Sequence, residues 1–340
     1  MIFPFLVIII DIFHASDFVN HPIIITFVLD IVIYHRMQKI NAAIVGYGNI
    51  GKHVVEALEA APDFDIAGIV ETEAIVQNMI QTGQFELQKY TFADSLKKLK
   101  HVDVAILATP TLQVEVIAKE ALSMGIHTAD CFDIHGKIVD LHHSLDLVAK
   151  AHNTVAVIAA GWDPGSDSII RALFETMTPR GITYTNFGPG MSMGHTVAAK
   201  AIAGVKAALS MTIPLGTGIH RRMVYVEIKE GYDFVQVAAA IRSDDYFTHD
   251  ETFVVQVENV DTLLDMGHSV NMTRKGVSGK TQNQLLAFDM KVNNPAFTAQ
   301  MLVAAARASV KQRPGAYTLI EIPVIDLIPG EKEDLIRRFV

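Results

Sequence analysis

The run "AAIVGYGNIG" (42–51) carries three glycines, Gly46, Gly48 and Gly51, spaced GxGxxG directly after an apolar stretch. That pattern can hold a pyrophosphate. The first glycine permits a tight turn, the second lets phosphate approach the backbone, and the third lets a helix pack closely on the preceding strand. Free N–H groups and the dipole at the start of that helix favour negative charge. Tyr47, Asn49 and Ile50 complete the expected cofactor loop. Beyond it stands Glu71, at the spacing where a carboxylate accepts hydrogen bonds from the adenosine ribose hydroxyls. The competing reading is a structural turn with a solvated glutamate. The strand before, the helix after and the spaced acid together favour a dinucleotide. In "ETE", Glu71, Thr72 and Glu73 lie where a 2′-phosphate would sit. Two carboxylates repel a phosphate dianion, so charge favours NAD over NADP. "LATPT" (107–111) adds Thr109, Pro110 and Thr111, which suit the diphosphate and the nicotinamide ribose; Thr111 also reads as a helix cap.

These loops need a scaffold, and the surrounding pattern provides one. "INAAIVGYG", "FDIAGIVE", "VDVAILAT", "IHTADC" and "TVAVIAAG" read as buried strands. Helical periodicity separates them in "HVVEALEAA", in "TLQVEVIAKEALSMG" and around residues 139–152. Apolar strands alternating with helices imply a parallel sheet covered on both faces, the doubly wound Rossmann-type layout of an α/β domain. After Gly161 the texture changes. "ITYTNFG", "RMVYVEIKEG", "ETFVVQVEN" and "NQLLAFDMKV" show period-two features with few helices between them. An α+β substrate or dimerisation domain with a mostly antiparallel sheet is expected there. "TVAAKAIAGVKAAL" reads as a helix, and so does "AFTAQMLVAAARASVKQ", ending near Pro314. "AYTLIEIPVI" reads as a final strand. The expected division is an extension over 1–36, a dinucleotide-binding domain over 37–160, a substrate domain over 161–300, and a tail over 301–340 that returns to the first domain.

Composition narrows the function classes. A chain of 340 residues, 50% apolar and 19% charged, is long enough for two packed domains and too apolar for disorder. The net charge of −9 argues against nucleic acid as a partner. A single cysteine, Cys131, excludes an internal disulfide framework and suits a reducing, cytoplasmic setting. No Cys/His cluster has zinc spacing, and the adjacent His142 and His143 point to different helix faces, so no metal is expected. The first 36 residues are strongly apolar but interrupted by Asp11, Asp17 and Asp30. No uninterrupted stretch reaches the roughly 18 residues a spanning helix needs, and no signal-peptide pattern opens the chain. They read as an extension outside the functional fold, with a membrane-associated anchor as the competing reading.

Three further stretches stand out: "TADCFDIHG" (128–136), "AAGWDPGSDSIIR" (159–171) and "FGPGMSMGHTVAAKAI" (187–202). With the glycine loop they resemble the meso-diaminopimelate D-dehydrogenase family, in particular its broader-specificity branch, which also acts on other D-amino acids. The resemblance runs from Met37 to the C-terminus. It implies an NAD(P)-dependent homodimer that reversibly deaminates the D-centre of meso-2,6-diaminopimelate, giving L-2-amino-6-oxopimelate and ammonia, in lysine and cell-wall precursor supply. By its motifs, Asp133 and Asp163 surround the reacting amino group, and Trp162 walls the site. A carboxylate there can hold an ammonium and take its proton. Taken alone, Asp163 in Asp-Pro-Gly would be a turn residue. The resemblance further implies that backbone N–H groups of Met193 and Gly194 grip the D-centre carboxylate. Thr212, Arg222 and His268 would meet the distal carboxylate, with Asn294 as a further polar contact.

Two departures matter. Thr72 and Glu73 stand where NADP-using members carry an Arg pair, so the family implies NADP while these residues favour NAD. Phe187 replaces a Trp of some members and opens the pocket. A broad-specificity D-amino acid dehydrogenase or reductive aminase, and a non-catalytic dinucleotide sensor, are the alternatives.

Overall fold

The computed structural model describes residues 39–81, 89–264 and 267–340; the extension over 1–36 lies outside them. The chain first alternates β1 (Ile40–Val45), α1 (Asn49–Glu59), β2 (Phe64–Val70), α2 (Glu73–Gln81), β3 (Phe92–Ala93), β4 (Val104–Leu107), α3 (Val114–Ser123), β5 (His127–Asp130), α4 (Ile138–Ala151) and β6 (Val155–Val157). These strands pair parallel in the order β6-β5-β4-β1-β2-β3. The strand order reverses between β1 and β4, so the loops that leave them open a crevice at the carboxyl end of the sheet. Both sheet faces are apolar. Ala42, Ile44, Val104 and Ile106 pack on Val54 and Leu58 of α1, while Ala43, Val45, Ala105 and Leu107 pack on Val114, Ala118 and Leu122 of α3 and Leu141 of α4. That two-sided burial is why these strands read as continuous apolar runs.

The second region holds α5 (Ser166–Met177), β7 (Arg180–Phe187), β8 (Gly190–Met191), α6 (Met193–Ala201), β9 (Val205–Gly216), β10 (Ile219–Ile228), α7 (Phe234–Ser243), β11 (Glu251–Gln256), β12 (Gly267–Ser278) and β13 (Thr281–Asn293). Strands β13-β12-β7 form one antiparallel sheet. Strands β11-β10-β9-β8 form another, antiparallel except for the parallel β10–β11 pair that α7 connects. Mostly antiparallel structure is therefore correct, but two expectations fail locally. The helix over "TVAAKAIAGVKAAL" stops at Ala201: Gly204 turns the chain at φ +88°, where an added Cβ would lie 2.5 Å from the Tyr232 ring, and "VKAAL" enters β9. The sequence also hid α7, whose Asp233 side chain caps the Gln236 N–H.

Helix α8 (Asn294–Ser309) carries the chain back. Asn293 caps it, and Ala299, Leu302, Val303 and Ala305 lie in the core of the nucleotide-binding sheet. Its buried Arg307 bonds both Asp63 carboxylate oxygens and the Leu327 carbonyl. The tail then adds β14 (Gly315–Tyr317), parallel to β6, as the seventh strand. The rest of "AYTLIEIPVI" is not a strand. Thr318 donates its N–H and hydroxyl to Glu321, closing a tight turn, and Pro323 offers no N–H for a ladder. A last helix, α9 (Lys332–Phe339), follows. Among the described residues no helix is long and apolar enough to cross a membrane, and no group of His, Cys, Asp and Glu could hold a metal ion.

Candidate active site

The three glycines of the β1–α1 loop do different work. Gly46 sits at φ +94°, and a Cβ there would lie 2.6 Å from the Ala108 carbonyl oxygen. At Gly51 a Cβ would lie 2.0 Å from the Gly46 carbonyl oxygen, whereas at Gly48 it would meet nothing within 4 Å. The outer two are required by the fold; the middle one keeps space open over the start of α1, where no side chain caps the helix. Across the crevice Thr109 buries a hydroxyl with no hydrogen-bond partner among the described residues. An open glycine cradle, uncapped N–H groups and an orphaned hydroxyl fit a dinucleotide diphosphate.

Glu71 directly follows β2 and fastens this loop: one oxygen accepts the Tyr47 N–H and the other the Thr72 N–H, each at 2.8 Å. Each oxygen retains a further acceptor position for a ribose hydroxyl. Glu73 opens α2 with its side chain exposed. Asn49 begins α1, and Ile50 reaches the neighbouring cavity. Pro110 precedes a single helical turn over 111–113. Thr111 does not cap the following helix; its hydroxyl instead donates to Asp133 Oδ1 at 2.5 Å, because the loop after β5 lies alongside.

That cavity, of about 460 Å3, gathers Asp133, Trp162, Asp163, Phe187, Met193, Gly194, Thr212, Arg222, His268 and Asn294, all ten of the expected substrate residues. Its acidic end comes from the loops after β5 and β6. Asp130, fully buried, accepts the Phe132 and Ala159 N–H groups at 2.9 and 3.0 Å and so ties the two loops together. Burial pushes its pKa up to about 6. Asp163 follows β6 in a turn closed by Gly165, where φ is +145° and a Cβ would lie 1.9 Å from the Gly161 carbonyl oxygen. Arg171 of α5 donates to Asp163 Oδ1 at 2.9 Å, and His135 Nε2 stands 3.8 Å from Oδ2. Trp162 is buried edge-on to His268 and Phe187, at ring-centroid distances of 4.8 and 6.1 Å, and its indole N–H has no partner among the described residues.

The opposite end is built on strands. Arg222 of β10 and Thr212 of β9 are direct cross-strand partners joined by a short hydrogen bond, and Asp250 accepts Arg222 Nε at 2.7 Å. His268, at the start of β12, directs Nδ1 to the Ser269 carbonyl at 3.1 Å. Burial first, with the Arg222 charge behind it, holds its pKa below the ordinary value, so the ring is neutral and Nε2 is an acceptor. Met193 and Gly194 open α6, where Ser192 leaves the helix uncapped and bonds His195 Nδ1 at 2.8 Å instead. Asn294 opens α8 and accepts the Thr298 hydroxyl.

Several further residues of this site carry little signal in the sequence. Arg171 stands four residues after Asp167, a spacing that signals an ion pair on a helix. His195 lies inside the quoted "MSMGH", yet only the fold brings its ring against Tyr246 and Phe247. Burial and the Arg222 charge push its pKa down to about 4, so it is neutral. Cys131 also lines the cavity, but burial and the Asp130 and Asp133 charges push its thiol up to about 12, too high for a nucleophile.

Comparison with known proteins agrees with this geometry. Residues 40–129 match the oxidoreductase family with an NAD-binding Rossmann fold, and residues 161–221 match the diaminopimelic acid dehydrogenase C-terminal domain. A meso-diaminopimelate D-dehydrogenase of Bacteroides fragilis is 64% identical over 304 residues, covering 89% of this chain and all of that protein. The C. glutamicum DAP dehydrogenase in complex with DAP superposes with a TM-score of 0.79 at 28% identity, covering 89% of this chain and all of that one. An engineered D-amino acid dehydrogenase bound to NADP+ superposes at 0.71 with 26% identity and the same coverage. This chain belongs to the meso-diaminopimelate D-dehydrogenase family.

Proposed function

We propose that this protein catalyses the NAD(P)-dependent, reversible oxidative deamination of meso-2,6-diaminopimelate at its D-centre, giving L-2-amino-6-oxopimelate and ammonia. The observation that carries this reading is one cavity with two carboxylates at one end and an arginine–threonine pair at the other, beside the glycine loop. A meso-diamino diacid has matching charges at both ends. Asp133 and Asp163 hold the D-ammonium, and one of them, directly or through water, takes the proton that must leave before the Cα–H bond can break. The N–H groups of Met193 and Gly194 fix the D-carboxylate against the start of α6. Arg222 and Thr212 take the distal carboxylate, and Trp162 and Phe187 exclude water between the two ends. A bound nicotinamide supplies the hydride acceptor. Water then attacks the imino carbon, and ammonia leaves.

Residues 37–160 serve the dinucleotide, 161–300 the substrate and dimer contacts, and 301–340 the return to the first domain. NAD is the preferred dinucleotide on the charge of Glu71 and Glu73. A homodimer forms through the sheet β13-β12-β7, whose outer face aligns exposed Ile182 and Leu285 on either side of Lys275. The lone, unreactive cysteine suits the cytoplasm. Phe187 in place of a Trp favours a second activity on other D-amino acids.

Reduction of NAD and of NADP by the purified protein should be followed side by side with meso-diaminopimelate, D-lysine and D-alanine. The expected result is highest kcat/KM for meso-diaminopimelate and a lower KM for NAD. No reduction with any of them would sink the enzymatic reading, and a far lower KM for NADP would sink the cofactor preference alone.

A further inference from the structure

The acidic end of the cavity holds a group that this reaction scheme leaves unused. Asp167, in the first turn of α5 and four residues after Asp163, is fully buried, and neither carboxylate oxygen has a hydrogen-bond partner among the described residues. The cation facing it is Arg171, whose Nη2 stands 4.0 Å from Oδ2 while Nη1 is bonded to Asp163. A buried carboxylate without hydrogen bonds is costly, so something must be gained by keeping it. The gain lies in charge. A substrate ammonium is attracted to Asp163, but Arg171 already occupies one Asp163 oxygen and cancels its charge. A second carboxylate behind Arg171 restores one net negative charge to the trio when all three are ionised.

We infer that Asp167 is a positioning residue for the reaction: acting through Arg171, it sets the net charge that Asp163 presents to the D-ammonium. This rests on the assignment of Asp163 to that ammonium. The surroundings leave the trio isolated. On the elements packed against α5, Arg274 of β12 is committed to Thr178 and Thr183, Arg180 of β7 bonds the Gly279 carbonyl, and Lys275 is exposed. Tyr184 of β7 stands on the outer face of its sheet, in register with Thr273. Glu321 of the 319–321 turn is held by Thr318 and stands near His142, and Glu175 at the far end of α5 is exposed. Around Asp163 itself stand His135 at 3.8 Å, the neutral His268 and, in the same cavity, Asp133. Burial, then the Asp163 charge, push the Asp167 pKa up to about 7 against the opposing pull of Arg171.

The test is Asp167→Asn in the full-length enzyme with saturating cofactor, assayed in both directions from pH 6 to 10. At pH 8 the KM for meso-diaminopimelate should rise about fivefold or more, because a cation meets a less negative site. The KM for L-2-amino-6-oxopimelate, whose reacting carbon bears no ammonium, should change less than about twofold. The acid limb of kcat/KM should move down by about half a pH unit or more, since the variant lacks one of the two coupled carboxylates. Equal KM changes in both directions, or an unmoved pH profile, overturn the inference. If Asp167→Asn does not fold, Asp167→Ser carries the same expectations. Asp163→Asn separates the two layers: wild-type turnover there sinks the assignment of Asp163, whereas lost turnover there with an unchanged Asp167→Asn enzyme sinks the inference alone.

Discussion

The two ends of the cavity are built from different kinds of structure. Asp133 and Asp163 stand on loops at the carboxyl ends of parallel strands, held by the buried Asp130 and by Arg171. Thr212 and Arg222 stand within antiparallel strands, locked by direct cross-strand pairing and by Asp250. Each end also carries a counter-charge of its own, Arg171 against Asp163 and Asp250 against Arg222. The loop end lies beside the glycine cradle; on the proposed function it serves bond breaking, and the strand end is a rigid ruler for substrate length. On that proposal, proton handling falls to the first end and recognition of the distal group to the second. Replacing a carboxylate that handles the proton at the first should therefore change turnover, and substitutions at the second should change KM.

The largest effect is expected at the loop end. Asp163→Ala should lower kcat by about 10²–10⁴-fold, the usual range for a lost acid–base group. Steady-state kinetics with meso-diaminopimelate checks it, and near-wild-type kcat would break the comparison. Next comes Arg222→Met, which removes the clamp and leaves Asp250 without its cation. The KM for meso-diaminopimelate should rise by about 10²-fold, with kcat within a few-fold. D-alanine, which has no distal carboxylate, should show almost no change in kcat/KM. An equal loss for both substrates would mean that Arg222 supports the fold and not the ruler.

This division also explains what could be read from the chain. The glycine loop and "GWDPG" are legible because tight turns and close backbone approach confine their demands to a few consecutive residues. Gly46, Gly51 and Gly165 each stand where a Cβ would collide with backbone. The distal set is not legible in that way. Thr212, Arg222, His268 and Asn294 are spread over some eighty residues and meet only because β9, β10, β12 and α8 converge. Each is bland alone, and only the family resemblance singled them out. Arg171 and Asp167 stand within "GWDPGSDSIIR", but their meaning lies in burial, which no local pattern shows. The overlong helix past Ala201 and the overlong strand after Tyr317 share one cause: periodicity continued where a turn, at Gly204 in the first and at Thr318–Glu321 in the second, redirects the chain.

A smaller test asks whether the cofactor cradle is independent of both ends. Gly48→Ala places a methyl group in open space, so the thermal midpoint should hold within about 1 °C. The KM for the dinucleotide should nonetheless rise about tenfold, because the methyl lies where a diphosphate approaches. Gly51→Ala, with its 2.0 Å collision, should instead destabilise the protein outright. An unchanged dinucleotide KM in Gly48→Ala would move the diphosphate away from this loop.

The smallest effect concerns His268, and it sharpens what the strand end measures. The resemblance sets this histidine against the distal carboxylate. Yet a neutral imidazole whose Nδ1–H is given to the Ser269 carbonyl offers only an acceptor at Nε2. An acceptor suits the distal L-ammonium better than a carboxylate. His268→Ala should therefore raise the KM for meso-diaminopimelate about three- to tenfold, the scale of one hydrogen bond to a charged group. D-2-aminopimelate, which keeps the distal carboxylate but lacks the amino group, should be affected less than about twofold. The wild-type preference between the two should also weaken as pH falls, because protonating Nε2 removes the acceptor. With the pKa held low by burial, that loss comes below the ordinary imidazole range and not at neutral pH. Equal losses for both substrates would return His268 to the carboxylate and leave Arg222 with a partner in that task.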